Sequence, residues 1–184
     1  MTELGAGMLL VATPALVDPN FAATVVLILD ADEEGALGVV LNRPSPVPVS
    51  EVLMPWDEVA SEPEVLFLGG PVGTDGALAL ALLRADESPV GFRSIVGRLG
   101  LLDLDTPVEL LGAGVEQLRI FAGYAGWGAG QLEGEIEEGS WYVVAAEAPD
   151  VFRYDPVDLW RDVLRRQPGD LAMHSTRPSD PDLN

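Results

Sequence analysis

The sequence predicts one α+β domain in which strands outnumber helices. Three observations carry that prediction. Short apolar runs rich in Val, Ile and Leu recur along the chain, bounded by Gly, Pro and Asp, as strands are. Helical periodicity appears in a few scattered places, without the regular strand–helix–strand alternation of a doubly wound sheet. Finally, Thr24–Leu29 and Ala36–Leu41 flank the acidic, Gly-ended turn Asp30–Gly35, the pattern of an antiparallel hairpin. No repeat or linker divides the chain, so residues 1–184 are expected to share one core.

Taken in order, Met8–Ala12 is a short apolar strand ended by Thr13-Pro14. The predicted hairpin follows, and Asn42-Arg43-Pro44 ends it because Pro cannot continue a central ladder. Ser45–Pro48 has the look of a proline-spaced linker. Val49–Met54 suits one or two helical turns with Val52 and Leu53 inward, and Trp56–Pro63 is acidic loop. Val65–Leu68 is a strand stopped by Gly69-Gly70-Pro71. Ala77–Leu83 is wholly apolar, and its flanking Gly76 favours strand over buried helix. Phe92–Val96 and Leu99–Leu104 are strand-like. Asp105-Thr106-Pro107 has the capping candidate and first-turn Pro of a helix start, with an end by Gly112–Gly114. Asp155-Pro156 opens a last helix in the same way, with Val157, Trp160, Val163 and Leu164 on one face. Its Arg161, Arg165 and Arg166 lie towards the C-terminal end, where the macrodipole favours cations. Residues 167–184 form a Pro/Asp-rich tail expected to be loosely ordered.

The stretch that organises the rest is Arg119–Trp141. Arg119–Tyr124 alternates as a strand does. Gly123, Gly126, Gly128 and Gly130 then supply a hinge, since glycine takes positive φ without steric cost. Gln131–Glu138 is helix-forming, with Leu132 and Ile136 on one face, and Gly139 stands where a helix terminus favours a left-handed residue. Trp141–Ala146 returns as strand. On this reading Gly126 and Gly128 carry the turn and the fold depends on them, whereas Glu133 and Glu137 are dispensable.

Composition excludes several functions. The formal net charge is −20, and every one of the ten basic residues is Arg. Such a chain repels phosphates, so direct nucleic-acid binding is not expected. Without Lys there is no Schiff base and no P-loop cation. Without Cys there is no disulfide, no thiolate nucleophile and no Cys-ligated zinc. No signal sequence or apolar span of membrane length is visible, so a soluble cytoplasmic protein is expected.

Several strings resemble the YqgE/AlgH family, the UPF0301 or DUF179 proteins. They are Gly7–Pro14 (GMLLVATP), Asp18–Phe21 (DPNF), Gly35–Pro44 (GALGVVLNRP), Gly69–Val72 (GGPV) and the run from Gly123 (GYAGWGAGQLEGEI) with Ser140-Trp141 after it. They cover roughly the whole chain in one order. The resemblance implies a mostly antiparallel sheet curled into a partial barrel with helices packed outside. It also implies a role in transcriptional regulation without an established biochemical activity.

Candidate chemistry is sparse. The Gly123–Gln131 hinge leads to a helix start, the geometry that cradles anions. The G-x-G-x-x-G spacing is absent, however, and Glu133, Glu135, Glu137 and Glu138 would repel a phosphate. Tight turning with Tyr124 and Trp127 as packing is the better account. Glu133 and Glu137 share a helix face but lack further metal ligands or a neighbouring His. His174 stands alone in the tail. Asn42, Arg43, Gly69 and Gly70 end strands that, if adjacent, bring polar groups beside Arg119, where an Arg fork suits a carboxylate. An internal salt bridge is the competing role for that Arg. The candidate ligand or partner site is therefore Asn42, Arg43, Gly69, Gly70, Arg119, Tyr124, Trp127, Gln131 and Glu133. No catalytic set, metal or cofactor is expected. The expected role is a non-catalytic binding or regulatory module with a protein or small-ligand partner. The alternative is an enzyme or small-ligand site at the hinge.

Overall fold

The computed structural model describes residues 4–167 apart from Gly112. The tail beyond Gln167 and His174 lie outside the described residues. In chain order the elements are β1 (Met8–Ala12), β2 (Val25–Asp32), β3 (Gly35–Val40), β4 (Pro44–Pro48), α1 (Val49–Val52), β5 (Val65–Leu68), β6 (Val72–Leu83), β7 (Phe92–Val96), β8 (Leu99–Leu102), β9 (Val115–Gly128), α2 (Gln131–Glu137), β10 (Trp141–Ala145), α3 (Ala148–Phe152) and α4 (Leu159–Arg165). No described helix is long and apolar enough to cross a membrane.

The strands form one curled sheet, a half-barrel in the order β10-β1-β2-β3-β9-β6-β8-β7, with β4 and β5 branching from it. All pairings are antiparallel except β5 with β9. The predicted hairpin is present: β2 and β3 pair antiparallel from Val26↔Val40 to Asp32↔Gly35.

Strand β9 joins the two halves of the sheet. Its first part pairs with β6, from Leu83↔Val115 to Ala77↔Ala122 and, past a register shift, at Val72↔Tyr124. Its last part pairs with β3, from Gly38↔Ala125 to Gly35↔Gly128. The change of partner falls at Gly123, which has φ 75°. Here the backbones crowd: a Cβ on Gly123 would overlap the carbonyl oxygen of Gly70, and one on Gly70 would overlap the Tyr124 carbonyl.

This corrects the expected hinge. Gly126 and Gly128 are not turn residues; β3 pairs with them and keeps the strand extended. Neither has positive φ. Only Ala129 and Gly130 separate β9 from α2.

Other local expectations change for equally plain reasons. Pro44–Pro48 is a strand, not a linker, because it pairs only with β5 and its prolines need not donate on the other side. The helix expected after Pro107 is only a single 3-10 turn, Val108–Leu110. In α1 it is Val49 that is buried, while Val52 is exposed. Val157 sits in a 3-10 turn before α4 and is 75% exposed. Helix α3 escaped sequence reading; a capping box between Glu147 and Asp150 starts it.

Alternation along the strands creates three apolar clusters. The largest joins Leu9, Val11, Leu27, Val39, Leu80 and Phe121 from both halves of the sheet with Phe152, Trp160, Val163 and Leu164 of α3 and α4. Each such side chain contributes about 1.5–3 kcal/mol on full burial. The Trp160 indole also donates to the Ala12 carbonyl at 2.8 Å, at the end of β1. Helix α2 covers the opposite face of the first half through Leu132. The turns after β4 cover that of the second half through Val49 and Trp56.

Candidate functional site

The helices α3 and α4 pack at one end of the large cluster. A cleft of about 380 Å³ opens at the other. Its walls follow the curl of the sheet: Leu29 and Asp30 from β2, Leu37 from β3, Tyr124 from β9, Leu78 from β6, Leu101 from β8, and Arg93, Ser94 and Ile95 from β7, with Ala6 at the rim. The leucines and Ile95 continue the inward rows that form the core further down the strands. A largely apolar, concave site with a few convergent polar groups is the usual form of a binding pocket. Neither Arg93 nor Asp30 is in an ion pair among the described residues. Two shallower hollows adjoin the cleft. One runs past Gly73, Asp75, Gly123 and Tyr124, the other past Asp32, Glu34 and Trp127.

Most residues expected at a site have another occupation. The strand ends bearing Asn42-Arg43 and Gly69-Gly70 are indeed adjacent, since Leu68 N–H donates to the Arg43 carbonyl at 2.8 Å. Asn42, however, closes the end of β2, accepting from Val25 N–H at 3.0 Å and donating to the Ala23 carbonyl at 2.9 Å. The Arg43 guanidinium donates to the carbonyls of Asn20 at 2.6 Å, Pro19 at 2.9 Å and Ala22 at 3.2 Å, and so holds the Asp18–Phe21 loop. Burial holds its pKa below the ordinary Arg value, against the opposing pull of Asp18. Gly69 accepts from Val40 N–H and donates to the Ala122 carbonyl, both at 2.8 Å.

Arg119 is neither a pocket Arg nor a salt-bridge Arg. It is 2% exposed, and donates to the carbonyls of Val151 and Glu62 at 2.9 Å and of Phe152 at 3.4 Å. Its guanidinium carbon lies 4.3 Å from the Phe67 ring centre, a cation–π contact. Burial lowers its pKa to about 10. The side chain fastens α3 to β9.

The glycine-rich segment also has a structural latch, centred on a residue absent from the predicted set. Glu135 Oε1 accepts from both indoles, Trp127 Nε1 at 3.1 Å and Trp141 Nε1 at 3.0 Å. Its Oε2 accepts from Gln131 Nε2 at 3.0 Å, and Gln131 Oε1 accepts from Gly128 N–H at 3.0 Å. The indoles meet edge to face at 6.1 Å, and Phe21 packs tilted against Trp127 and edge-on to Trp141. Glu133 and Glu137 point to solvent, as a hydrated acidic helix face does. The i,i+4 spacing of Gln131 and Glu135 between two tryptophans was the signal that could have found this carboxylate. Of the nine predicted residues, Tyr124 alone lines the cleft.

Comparison with known proteins agrees with this architecture. A model of the AlgH-like DUF179 family matches residues 9–172, and the chain belongs to that family. The UPF0301 protein SCO2948 of Streptomyces coelicolor is 57% identical over 100% of this chain and 98% of its own length. A UPF0301 protein of Thermobifida fusca is 52% identical over 97% of this chain and 94% of its own. Among solved structures, protein DIP2367 of Corynebacterium diphtheriae superposes with a TM-score of 0.91 at 34% identity, covering 96% of this chain and 94% of that one. The AlgH protein of Pseudomonas aeruginosa gives 0.68 at 28% identity, covering 97% and 98%.

Proposed function

We propose that the protein is a non-catalytic binding module whose occupant enters the cleft at the open end of the half-barrel. On this reading its part in regulation is indirect, exerted through that occupant and not through contact with DNA. One observation carries the proposal: the inward apolar rows run on past the packed core and line an open cleft with Leu29, Leu37, Leu78, Ile95 and Leu101. A net charge of −20 opposes approach to a phosphate backbone. Arg153, Arg165 and Arg166 of the C-terminal region are engaged with Asp155, Asp162, Glu147 and Asp150. The alternative, an enzyme or ligand site at Gly123–Gln131, shares only Tyr124 with this cleft, while Gly123 and Trp127 line the adjoining hollows.

Nile red, a neutral apolar dye, tests the cleft. Saturable fluorescence enhancement is expected for the protein. Leu37→Glu places a charge on the cleft wall at a position already 44% exposed, and binding should weaken roughly tenfold or more, as desolvating a charge demands. Absence of saturable binding, or binding indifferent to Leu37→Glu, refutes the reading.

A further inference from the structure

We propose that the occupant of the cleft is an extended segment of a partner protein, alternating apolar and basic residues, that adds a strand to the free edge of β7. The inference rests on the binding role proposed above and names the class of ligand.

Among the described residues, the cleft lies between two unpaired edges of one sheet: strand β7 is the last in the strand order and pairs only with β8. On the opposite side, β2 outruns its neighbour. Its ladder with β1 ends at the bond from Gly7 N–H to the Ile28 carbonyl, 2.8 Å long. Among the described residues, Leu29–Asp32 therefore keep only β3 as a partner. Leu29 and Asp30 from one edge, and Arg93, Ser94 and Ile95 from the other, face the same cleft. Among the described residues these edges do not pair with each other; they approach at one end, where Gly7 lies against the Val96 side chain.

The edge of β7 has groups to offer. Asp103 N–H donates to the Gly91 carbonyl at 2.9 Å, on the register that pairs Phe92 with Leu102. In an antiparallel ladder inward and outward residues alternate. Gly91 and Arg93 thus face β8, and the N–H and C=O of Ser94 face outward. The outward N–H of Phe92 is taken by the Pro89 carbonyl at 3.3 Å. Edge strands are commonly shielded by Pro, charges or bulges. Phe92–Val96 contains one charged residue and no Pro, and its register shift against β8 falls between Ser94 and Val96, beyond the outward groups of Ser94; Val90 and Val96 are exposed. Strand addition to such an edge draws affinity from main-chain bonds and specificity from pockets for alternate side chains. Here the pocket is the leucine-lined cleft.

The charge of the surroundings selects the partner. Asp30, Asp32, Glu33 and Glu34 cluster at the β2–β3 turn, all exposed and none in an ion pair among the described residues. Three of them line the hollow that adjoins the cleft. Arg93 is the one base in the cleft wall. A strand whose apolar side chains enter the cleft and whose alternate side chains are cationic complements the apolar wall and the acidic cluster, with Arg93 as the single opposing charge.

Fluorescence anisotropy with three short labelled peptides tests this on the full chain. One alternates lysine with valine, one lysine with serine, one glutamate with valine. The lysine–valine peptide should bind saturably, the lysine–serine peptide roughly tenfold more weakly for lack of apolar burial, and the glutamate–valine peptide not measurably. N-methylation of alternate residues in the lysine–valine peptide, which removes its main-chain donors without touching the protein, should weaken it by about tenfold. Ser94→Pro removes the outward donor from β7 where an edge strand tolerates Pro, and should weaken it similarly. Equal binding of the lysine–serine peptide, or indifference to N-methylation, overturns the proposal. Nile red binding without binding of the lysine–valine peptide sinks this inference and leaves the cleft reading standing; loss of both sinks both. A concentration-dependent dimer abolished by Ser94→Pro would assign the edge to a second copy and also overturn it.

Discussion

Gly123→Ala should be among the most damaging small substitutions in this chain, and its cost follows from the geometry. Gly123 has φ 75°, where a Cβ costs about 1–2 kcal/mol. That Cβ would overlap the Gly70 carbonyl oxygen and stand 3.1 Å from the Val72 carbonyl oxygen and 3.3 Å from Thr74 Cγ2. Backbone oxygens held in a ladder cannot step aside, and overpacking typically adds about 1–3 kcal/mol. The expected loss is therefore about 2–5 kcal/mol, a large share of a typical total of about 5–15. At this chain length each kcal/mol moves Tm by about 2–4 °C. The control is Gly126→Ala, whose Cβ would meet nothing nearer than Leu37 Cδ2 at 3.8 Å. It should be neutral or gain up to about 1 kcal/mol through the unfolded chain. Gly128→Ala should behave alike, its nearest neighbour being Gln131 Oε1 at 3.9 Å. Urea titrations of the three variants at one pH separate the cases. Gly123→Ala losing under about 1 kcal/mol while Gly126→Ala loses over 2 would refute the reasoning, since ordinary surface changes stay within about 0.5.

Two further predictions concern buried polar groups. Glu135→Ala leaves the Trp127 and Trp141 indole donors without their shared acceptor, so stability should fall by about 1–3 kcal/mol. Glu135→Gln keeps an acceptor and should lose less, Glu133→Gln and Glu137→Gln should stay within about 0.5 kcal/mol, and denaturant melts followed by Trp fluorescence rank the four. Arg119→Met removes the donor to three carbonyls and should cost about 2–4 kcal/mol at pH 7, with some relief from no longer burying a charge. Burial depresses the Arg119 pKa to about 10, below the ordinary Arg value, so above pH 10 the unfolded chain holds more protons than the folded one. Stability of the parent protein relative to Arg119→Met should then rise as pH climbs from about 10 towards that ordinary value, and parallel denaturant titrations across that range would show a flat or falling difference if the assignment is wrong.

Much of the strand list was legible in the sequence, and the cleft was not. Runs such as Val25–Ile28 announce strands because β-branched and apolar side chains fit a pleated surface wherever it lies. The β2–β3 hairpin was legible because its partners are neighbours in sequence and its turn is chemically marked. Arg119 shows where such reading stops. Its residue type and strand position suggested an anion ligand or a salt bridge, yet its partners are the carbonyls of Glu62, Val151 and Phe152. Carbonyls leave no trace in a sequence. Glu133 and Glu137 drew attention by their spacing, while Glu135, between them, holds the two indoles. Helical phase against the sheet decided which carboxylate turned inward.

By itself, then, the sequence determined the local matters: most of the strand runs, where the first hairpin turns, that no Cys or Lys chemistry is available, and that the net charge is −20. The tertiary structure decided what depends on distant partners. It extended β9 through Gly126 and Gly128 because β3 was there to pair with them. It placed the required glycine contact at Gly123 and Gly70, whose backbones meet only when the two halves of the sheet join. It formed the cleft from six strands that lie up to 95 positions apart between Leu29 and Tyr124. Local propensity acts over a few residues and is written in their side chains, whereas pairing and closure are set by backbone groups that every residue shares.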